Sequence, residues 1–498
     1  MEDWLAGLGL VMQFGVLAAI AAGVILGTFI GAIPGLTATM AIGLLIPFTF
    51  TMPPLMGMGL LLGVYVGGYS GGAFSSILLG IPGTPSNFVT MFDGYPMTRK
   101  GESGRALTTA VFTSFVGGTV SAVILATVAP PLARLALEFG PSEYFAFSVL
   151  GLTLVAGASG GSIAKGVWAA CLGILISCIG PDPITSQPRY TFDSIALLRG
   201  IPLMPALIGL FALPPLLQEA ARYCAETQVF DAGISRMLLR WADIRRIGRT
   251  LVSSSLIGTL IGILPGSGAA IACFISYDAA KAISKTPEEF GTGCIEGVAA
   301  SECCNNATTG GALVPMIVLG IPGDAVTAVL LGGLMIHGLI PGPMFVVDSP
   351  DVVYGIFIAF FISNIIMFVF QMATLKYYTK ISGIPTKYIV PLLLVFCCLG
   401  TYSLSTSLSD VWIMLILGGV GYLLSRVSYP IAPIVLGLVL GPILESNLRM
   451  SVLLFHTAPA TLLTRPFTMG CLALAAASVL FFVRGKGSAR KPRHASAG

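Results

Sequence analysis

Residues 297–343 read GVAASECCNNATTGGALVPMIVLGIPGDAVTAVLLGGLMIHGLIPGP, and nearly all of them are apolar or small. The polar exceptions are Glu302, Asn305, Asn306, Thr308, Thr309 and Asp324. A run this hydrophobic is typical of a lipid bilayer, where polar groups and helix breakers are costly unless they face a cavity, a ligand or buried protein. The stretch therefore predicts an interrupted membrane segment with a polar centre.

A weaker copy of this pattern lies upstream, at residues 63–96. It reads GVYVGGYSGGAFSSILLGIPGTPSNFVTMFDGYP and contains the same Gly-Ile-Pro-Gly break. Two interrupted, polar-centred hydrophobic segments in corresponding positions indicate the binding site of a membrane transporter. Residues 93–105, which follow the first copy, are predicted to form a hydrophilic loop.

The composition excludes a soluble protein. Of 498 residues, 55% are hydrophobic and only 10% are charged, whereas soluble domains carry about 25% charged residues. At ~20 residues per span, the apolar stretches predict roughly 11 to 14 membrane segments in an all-α polytopic protein. The net charge of +4 is small and forms no basic stripe, so nothing indicates a nucleic-acid partner.

The two halves of the chain repeat each other. The first motif consists of Gly27, Thr28, Ile30, Gly31, Pro34, Gly35, Ala38 and Ala41. It aligns with Gly258, Thr259, Ile261, Gly262, Pro265, Gly266, Ala269 and Ala272. The break at 80–83 then aligns with the break at 320–323. We expect a first repeat half at residues 1–217, a cytoplasmic linker helix at 218–250, a second half at 251–483 and a basic tail at 484–498.

The charges of corresponding loops predict that the two repeats have inverted topology. Lys and Arg mark cytoplasmic loops. Arg99 and Lys100 follow the first interrupted segment, whereas Asp348 and Asp351 follow the second. Two further pairs of corresponding loops show the same contrast, because only one loop of each pair contains basic residues. These are the loops before the repeats and the loops after the short second segments. The N-terminus is accordingly predicted to be periplasmic, and the basic tail places the C-terminus in the cytoplasm.

An unwound membrane segment exposes backbone groups that can bind an anion or a small cation. We expect helix breaks at Pro34, Gly35, Pro82, Pro265, Gly266 and Pro322. The candidate substrate donors, which would solvate a carboxylate, are Thr84, Ser86, Asn87, Asn305, Asn306, Thr308 and Thr309. Backbone carbonyls of Gly83 and Gly323 are candidate ligands of a coupling ion. The alternative is that these polar residues only hold helices together.

Glu302 has two interpretations. A carboxyl at bilayer depth costs a few kcal/mol unless it is paired, protonated or hydrated, so Glu302 is a candidate cation ligand or proton carrier. The alternative is a capping acid that accepts backbone N–H groups near the membrane surface. Asp324, directly after a Pro-Gly break, is predicted to be a helix N-cap. His337 is predicted to be a loop histidine with satisfied hydrogen bonds.

The sequence offers little support for an enzyme. Residues 68–71 match the GxSG motif of intramembrane serine proteases, with His337 as a conceivable base, but residues 157–160 match equally well. The phosphate-binding motif GxxxxGK[ST] does not occur, so ATP is not expected to act on this chain directly. We expect no cofactor and no resident metal. An ion channel remains an alternative, although clustered donors at helix breaks favour binding and release.

Three stretches resemble a known family. They are GTFIGAIPGLTATMAIGLLIPFTF, GGAFSSILLGIPGTPSNFVTMFDGYPMTRKGESGRAL and the segment that begins EGVAASECCNNATTGG. They look like the large membrane subunit of bacterial tripartite tricarboxylate transporters, and the resemblance runs from about residue 15 to about residue 465. Family members often have Pro where Ser301 stands, and Ala where Cys303 and Cys304 stand.

The resemblance implies secondary active uptake of a carboxylate across the bacterial inner membrane, coupled to sodium or protons. It also implies two protein partners: a small membrane subunit of about four spans, and a periplasmic binding protein that delivers the substrate. A related superfamily suggests an elevator mechanism with a scaffold and a transport domain, and a homodimer is left open. The alternatives are a self-sufficient carboxylate carrier, a channel and, last, a membrane enzyme.

Overall fold

The computed structural model is almost entirely α-helical, which confirms the predicted all-α class. It describes residues 2–158, 162–221, 239–266, 268–378, 386–454 and 465–488. Within these ranges the only β-structure is one antiparallel pair, Gly180–Pro181 with Pro188–Arg189.

The helices have the following bounds. The first are α1 (Glu2–Val11), α2 (Phe14–Ala32), α3 (Ala38–Thr49), α4 (Pro54–Leu79), α5 (Thr90–Arg99), α6 (Ser103–Ala136), α7 (Pro141–Ala158), α8 (Ile163–Ser177), α9 (Leu203–Phe211) and α10 (Leu213–Ala221). The later ones are α11 (Trp241–Ile263), α12 (Gly268–Ile283), α13 (Ile295–Leu319), α14 (Ala325–Ile336), α15 (Pro343–Asp348), α16 (Pro350–Thr374), α17 (Thr386–Ser405), α18 (Leu408–Arg426), α19 (Ile431–Leu454) and α20 (Pro466–Ser488). Short 3-10 helices lie at Pro85–Phe88, Ile195–Leu197, Pro287–Glu289 and Leu375–Tyr377.

Many of these helices are long and apolar enough to cross a membrane. In the described ranges seven helical segments meet both criteria: Phe14–Ala32, Pro54–Leu79, Ser103–Ala136, Leu203–Ala221, Pro350–Tyr377, Leu408–Arg426 and Ile431–Leu454. Shorter apolar helices include Ala38–Thr49 and Ala325–Ile336. The chain is therefore a multi-pass membrane protein, as the composition predicts.

The chain forms two compact units. The first combines Met1–Leu137 with Pro202–Leu423, and the second combines Glu138–Ile201 with Leu424–Gly498. In the first unit, all residues of α13 are buried, and so are nearly all residues of α4. These two helices hold the polar centres of the two interrupted segments. Burial in protein on all sides explains how such polar helices are tolerated.

Glycines allow α4 and α13 to pack closely against a neighbouring helix, in the same way for each. A Cβ atom on Gly27 of α2 would lie 2.7 Å from the Cα atom of Val64 in α4. A Cβ atom on Gly258 of α11 would lie 2.6 Å from the carbonyl oxygen of Cys304 in α13. Gly27 and Gly258 are aligned positions of the sequence repeat, so the repeated motif produces the same packing twice. The relative orientation of the repeats in a membrane stays a prediction.

The predicted helix breaks lie between helices. Pro34 and Gly35 separate α2 from α3, and Pro265 and Gly266 separate α11 from α12. The φ angles of Gly35 and Gly266 are +87° and +77°, a region that glycine adopts without steric cost. In the two interrupted segments, α4 ends at Gly80 with φ +65° and α13 ends at Gly320 with φ +69°. Pro82 and Pro322 follow, and they cannot continue the helix because they lack an N–H group.

The second unit contains α7, α8, α19 and α20, together with the antiparallel pair and its turn. Ion pairs fix this turn: Arg189 contacts Glu445 at 2.6 Å, and Arg449 contacts Asp182 at 2.8 Å. The backbone N–H groups of Thr185 and Ile184 also bind Asp182 and hold its pKa below the ordinary value.

One boundary differs from the sequence prediction, and another falls largely outside the described ranges. Residues 93–105 were predicted as a hydrophilic loop, and this is wrong for most of them. Thr90–Arg99 is helical, Asp93 is fully buried, and α6 begins at Ser103. The linker helix predicted at 218–250 falls largely on residues 222–238, outside the described ranges. Its end, Trp241 onward, is the start of α11. Residues 489–498 of the basic tail also lie outside the described ranges.

Candidate functional site

The first helix break presents an amide to the interior of the first unit. Thr84 precedes the short helix Pro85–Phe88, and its hydroxyl lies 2.9 Å from that of Ser86. The Thr84 hydroxyl also donates to Oδ1 of Asn87. This bond occupies the amide oxygen and orients the Nδ2 group of Asn87 away from the break. The three predicted substrate donors of the first break therefore form one network.

Glu302 accepts hydrogen bonds from that network. Its side chain is fully buried, about two helical turns after the start of α13. Nδ2 of Asn87 donates to Oε1 at 2.8 Å, the hydroxyl of Thr90 donates to the same oxygen, and Oγ of Ser114 in α6 lies 3.3 Å from Oε2. All these donors are neutral side chains, and Glu302 lies beyond the first turn of α13, where free backbone N–H groups are found. The alternative of a capping acid bound to backbone N–H groups does not fit this geometry.

Asn305 and Asn306 lie one helical turn beyond Glu302. Residues three and four positions apart share a helix face, so both amides extend from the same side of α13 as the carboxyl group. Asn305 donates from Nδ2 to the carbonyl of Tyr69 at 3.1 Å. Within the described residues, Oδ1 of Asn305 and both polar atoms of Asn306 lack a hydrogen-bond partner, although both residues are buried. Such atoms cost free energy unless a ligand or water binds them.

Thr308 and Thr309 are less available than the sequence predicted. Their hydroxyls donate at 2.6 Å to the carbonyls of Asn305 and Asn306, one turn earlier in the same helix. Only the remaining lone pairs of these hydroxyls could accept a hydrogen bond from a ligand. A carboxylate is itself an acceptor, so these two threonines are poorer candidates for binding it than Asn306.

The second helix break is held by Asp324. Asp324 is the N-cap of α14, as predicted, because its Oδ1 accepts the backbone N–H of Thr327 at 2.7 Å. Its Oδ2 accepts the phenol groups of Tyr65 and Tyr69 from α4, at 2.9 and 2.8 Å. Sequence reasoning missed the two tyrosines. The sequence did contain a signal for them: the two tyrosines are four residues apart in a polar-centred segment, so they share one helix face.

The two glycines proposed as ion ligands lie in tight positions. The carbonyl of Gly323 already accepts the N–H of Gly266 at 2.6 Å, which ties the second break to the turn between α11 and α12. A Cβ atom on Gly83 would lie 2.6 Å from the carbonyl oxygen of Gly31 and 2.7 Å from Oγ of Ser75. A Cβ atom on Gly323 would lie 2.7 Å from the Cα atom of Ala312, so both glycines allow a close backbone approach at the two breaks.

Asp93 is another buried acid, and it was not predicted from the sequence. Its Oδ1 accepts the backbone N–H groups of Gly291, Gly293 and Cys294 at 2.7 to 2.9 Å, and Oδ2 accepts the phenol of Tyr277 at 2.7 Å. Cys294 is the N-cap residue of α13. The carboxylate thus fixes α5 to the positive end of the helix that carries Glu302.

Buried acids in the described residues outnumber buried bases, because no Lys, Arg or His is buried there. Glu143, Asp243 and Glu296 pair with partly exposed arginines. Asp93, Glu302 and Asp324 are hydrogen-bonded by neutral donors only, within the same ranges. An organic anion would be repelled at Glu302 unless a proton or metal cation neutralised the carboxylate.

The residues of the protease-like motif do not form a catalytic pair. Oγ of Ser70 donates to Oε1 of Gln371 at 2.7 Å. His337 lies against Gly57 of α4, and at 1.5 Å per residue Gly57 is roughly 20 Å from Ser70 along the helix. The Nε2 atom of His337 is buried and has no hydrogen-bond partner in the described ranges. The prediction that the hydrogen bonds of this histidine are satisfied is therefore wrong.

Comparisons with known proteins agree with the sequence resemblance. Residues 17–436 match the model of the "Tripartite tricarboxylate transporter TctA family". The chain is 37% identical over 461 residues to an "Uncharacterized 52.8 kDa protein in TAR-I ttuC' 3'region" of Agrobacterium vitis. That alignment covers 92% of this chain and 91% of the relative. An "Uncharacterized protein in TAR-II ttuC' 3'region" of the same organism is 35% identical over 223 residues, or 45% of this chain and 92% of the relative. No solved structure matches the chain.

Proposed function

Because the chain belongs to the tripartite tricarboxylate transporter TctA family, we propose that it is the permease subunit that imports an organic carboxylate against its gradient. Family membership makes it a transporter component and not an enzyme. The family's transporters also contain a small membrane subunit and a periplasmic binding protein. In the proposal, the binding protein delivers a tricarboxylate or similar anion, and a sodium or proton gradient drives its uptake.

One observation supports this proposal above all: a helix break contacts a buried acid, and three polar atoms of the two neighbouring amides have no hydrogen-bond partner among the described residues. Glu302 would hold the coupling cation, because a carboxylate without a basic partner at bilayer depth favours a proton or metal ion. The side chains of Asn87, Thr90 and Ser114 keep the carboxylate in place without neutralising it.

The carboxylate substrate would bind beside that cation. Within the described part of the chain, the Nδ2 group of Asn306 is a buried donor without a partner, one turn from Glu302 on the same helix face. A carboxylate accepting this N–H would gain a charge-assisted hydrogen bond. Its negative charge would be tolerable only with the cation present, which makes the binding of the two ligands interdependent.

The proposal includes a location and a mechanism. The chain would lie in the bacterial inner membrane with its N-terminus in the periplasm and its C-terminus in the cytoplasm. The two repeats would have inverted topology and move by an elevator mechanism. The small partner subunit would have about four spans. Support for these points comes from the loop charges and the family resemblance.

Reconstitution tests the proposed function. The chain, its small partner subunit and its binding protein would be placed in liposomes, and uptake of labelled citrate and other di- and tricarboxylates would be measured. We expect saturable accumulation that requires the binding protein and an imposed sodium or proton gradient. Accumulation without the binding protein would indicate a self-sufficient carrier. A non-saturable flux that never exceeds equilibrium would indicate a channel, and neither result is compatible with the proposal.

A further inference from the structure

Both helix breaks of the first unit are hydrogen-bonded to the same face of α13. The first break reaches it directly, because Asn87 donates to Glu302. The second break reaches it through α4, because Asp324 accepts the phenol of Tyr69 and the carbonyl of Tyr69 accepts the amide of Asn305. Tyr69 therefore contacts the second break with its side chain and the candidate substrate site with its backbone.

Tyr65 provides the contrast that makes this arrangement informative. It donates to the same Oδ2 atom of Asp324, at 2.9 Å against 2.8 Å for Tyr69, and the two rings pack edge to face at 4.9 Å. Both tyrosines are buried on the same side of α4. Of the two tyrosines, however, only Tyr69 accepts a side chain of α13 at its carbonyl among the described hydrogen bonds.

We propose that Tyr69 is a positioning residue that couples the second helix break to the substrate site on α13. A ligand that fixes Asn305 and Asn306 also fixes the backbone of Tyr69, and its phenol then holds Asp324 and the start of α14 in place. By reciprocity, a well-placed α14 favours the arrangement of Asn305 that binds ligand. The inference rests on the proposed function, because it takes the ligand to be a carboxylate bound at these amides.

The contacts around Asp324 explain why this link can transmit a change. Oδ1 is fixed locally by the backbone and hydroxyl of Thr327, which keep the capping geometry of α14. Among the described residues, Oδ2 is bound only by the two phenols. The position of this oxygen therefore depends on the position of α4. Loss of one phenol leaves the cap intact and weakens the contact with α4.

Transport kinetics give the first test, with a matched pair of variants. Tyr69→Phe and Tyr65→Phe each remove one hydrogen bond to the same oxygen. In citrate uptake by the reconstituted complex, we expect Tyr69→Phe to raise KM about tenfold with a much smaller change in maximal rate. Tyr65→Phe should leave KM nearly unchanged. Equal effects of the two substitutions on KM would overturn the proposal, since a purely structural role predicts equal effects.

Accessibility at the second break gives a second readout. Ala325, the first residue of α14, is partly exposed, so Ala325→Cys can be alkylated with a maleimide, using the native chain as background. Citrate with sodium should slow alkylation about fivefold. The response should persist with Tyr65→Phe and disappear with Tyr69→Phe. If Tyr69→Phe does not insert, Asp324→Asn is the second variant: Asn also caps helices but is a weaker acceptor for Tyr69. An unchanged response in either variant would overturn the proposal.

The outcomes also separate this inference from the proposed function. If the unsubstituted complex accumulates no carboxylate, the proposed function fails and the coupling role fails with it. If transport is normal, and Tyr69→Phe matches Tyr65→Phe in both KM and alkylation, only the coupling role of Tyr69 is wrong.

Discussion

Asn87 and Glu302 are 215 positions apart in the chain, yet Nδ2 of Asn87 donates to Oε1 of Glu302 at 2.8 Å. The contact joins the break of the first interrupted segment to the first helix of the second segment, α13. A side-chain donor stabilises a buried carboxylate, so the contact holds Glu302 in the position where the proposed function requires it to bind a cation. The contact also brings the two segments together in one candidate site.

The first prediction concerns that contact. Asn87→Ala removes a donor to a charged group, and such a hydrogen bond contributes about 1.5–3 kcal/mol, so we expect roughly a 10- to 100-fold loss of transport affinity. Uptake in proteoliposomes measures it. Ser86→Ala is the control, because the Ser86 hydroxyl contacts that of Thr84, and none of the described hydrogen bonds joins it to Glu302. Near-normal uptake by Asn87→Ala would show that the contact only holds helices together.

The second prediction separates donors on α13. Asn306→Ala should reduce transport affinity by a similar factor, about 10- to 100-fold, because it removes the buried amide that is free to bind substrate. Thr308→Val keeps the volume and removes a hydroxyl that is bonded to its own helix, so transport should change little. Substrate affinity in detergent, measured by calorimetry with citrate and sodium, would check both. Unchanged affinity in both variants would assign the site to another part of the chain, and an equally large loss in both would make Thr308 a substrate donor as well.

Much of the fold follows from the sequence. The repeated motifs of Gly and Pro correctly predicted both helix breaks and both turns between helices. Glycine and proline restrict or free the local backbone, so their effect can be predicted without knowledge of tertiary contacts. The cluster at Glu302, Asn305 and Asn306 was also found, since polar groups in an apolar run are conspicuous. Asp93 was missed because it begins a stretch with Arg99, Lys100 and Arg105, which is typical of a surface loop. Its burial depends on the loop before α13, which is about 200 positions away.

The tyrosines that hold Asp324 illustrate the same limit. The local sequence correctly predicted that Asp324 is an N-cap, because that role depends only on residues within one helical turn. It could not show that Oδ2 would meet Tyr65 and Tyr69, because the 255 to 259 positions between the partners are bridged only by tertiary packing. Similarly, the hydroxyls of Thr308 and Thr309 looked available in sequence and are used by their own helix.

The third prediction concerns membrane topology. Lys100 and Asp348 are both exposed, so cysteines placed there can react with a membrane-impermeant maleimide. Inverted repeats predict that Asp348→Cys is labelled in intact cells, and that Lys100→Cys is labelled only after the cytoplasmic side is opened. Labelling of both positions from the same side would contradict inverted topology, whatever the transport activity. A variant that carries only native cysteines gives the background.

The fourth prediction concerns packing between α11 and α13. A Cβ atom on Gly262 would lie 2.6 Å from the carbonyl oxygen of Thr308, so Gly262→Ala must push the helices apart. We expect a loss of about 1–3 kcal/mol of stability, seen as a lower melting temperature in detergent. Gly248→Ala on the same helix is the matched control. Nothing lies within 4 Å of its Cβ position, and alanine favours the helix, so stability should be unchanged or slightly higher.

The last prediction concerns energy coupling at Glu302. An anion that enters a negatively charged cytoplasm is opposed by ~2.3 kcal/mol per charge per 100 mV, so co-transported cations must offset this cost. Glu302→Gln keeps the size and most hydrogen bonds of the side chain but removes its charge. We expect gradient-driven accumulation to be abolished, while substrate exchange across the membrane survives, because neutral Gln resembles a permanently protonated acid.

The same variant distinguishes the coupling ions, and a neighbouring acid controls for general damage. If the native protein requires sodium, Glu302→Gln should weaken the sodium dependence of exchange; if it requires protons, the pH profile should become flat. Glu296→Gln alters another buried acid of α13, but Glu296 pairs with Arg246, so accumulation and ion dependence should persist. Accumulation at the native level in Glu302→Gln would move the coupling site elsewhere, and the backbone carbonyls at the two Gly-Pro breaks would then be the next ligands to test.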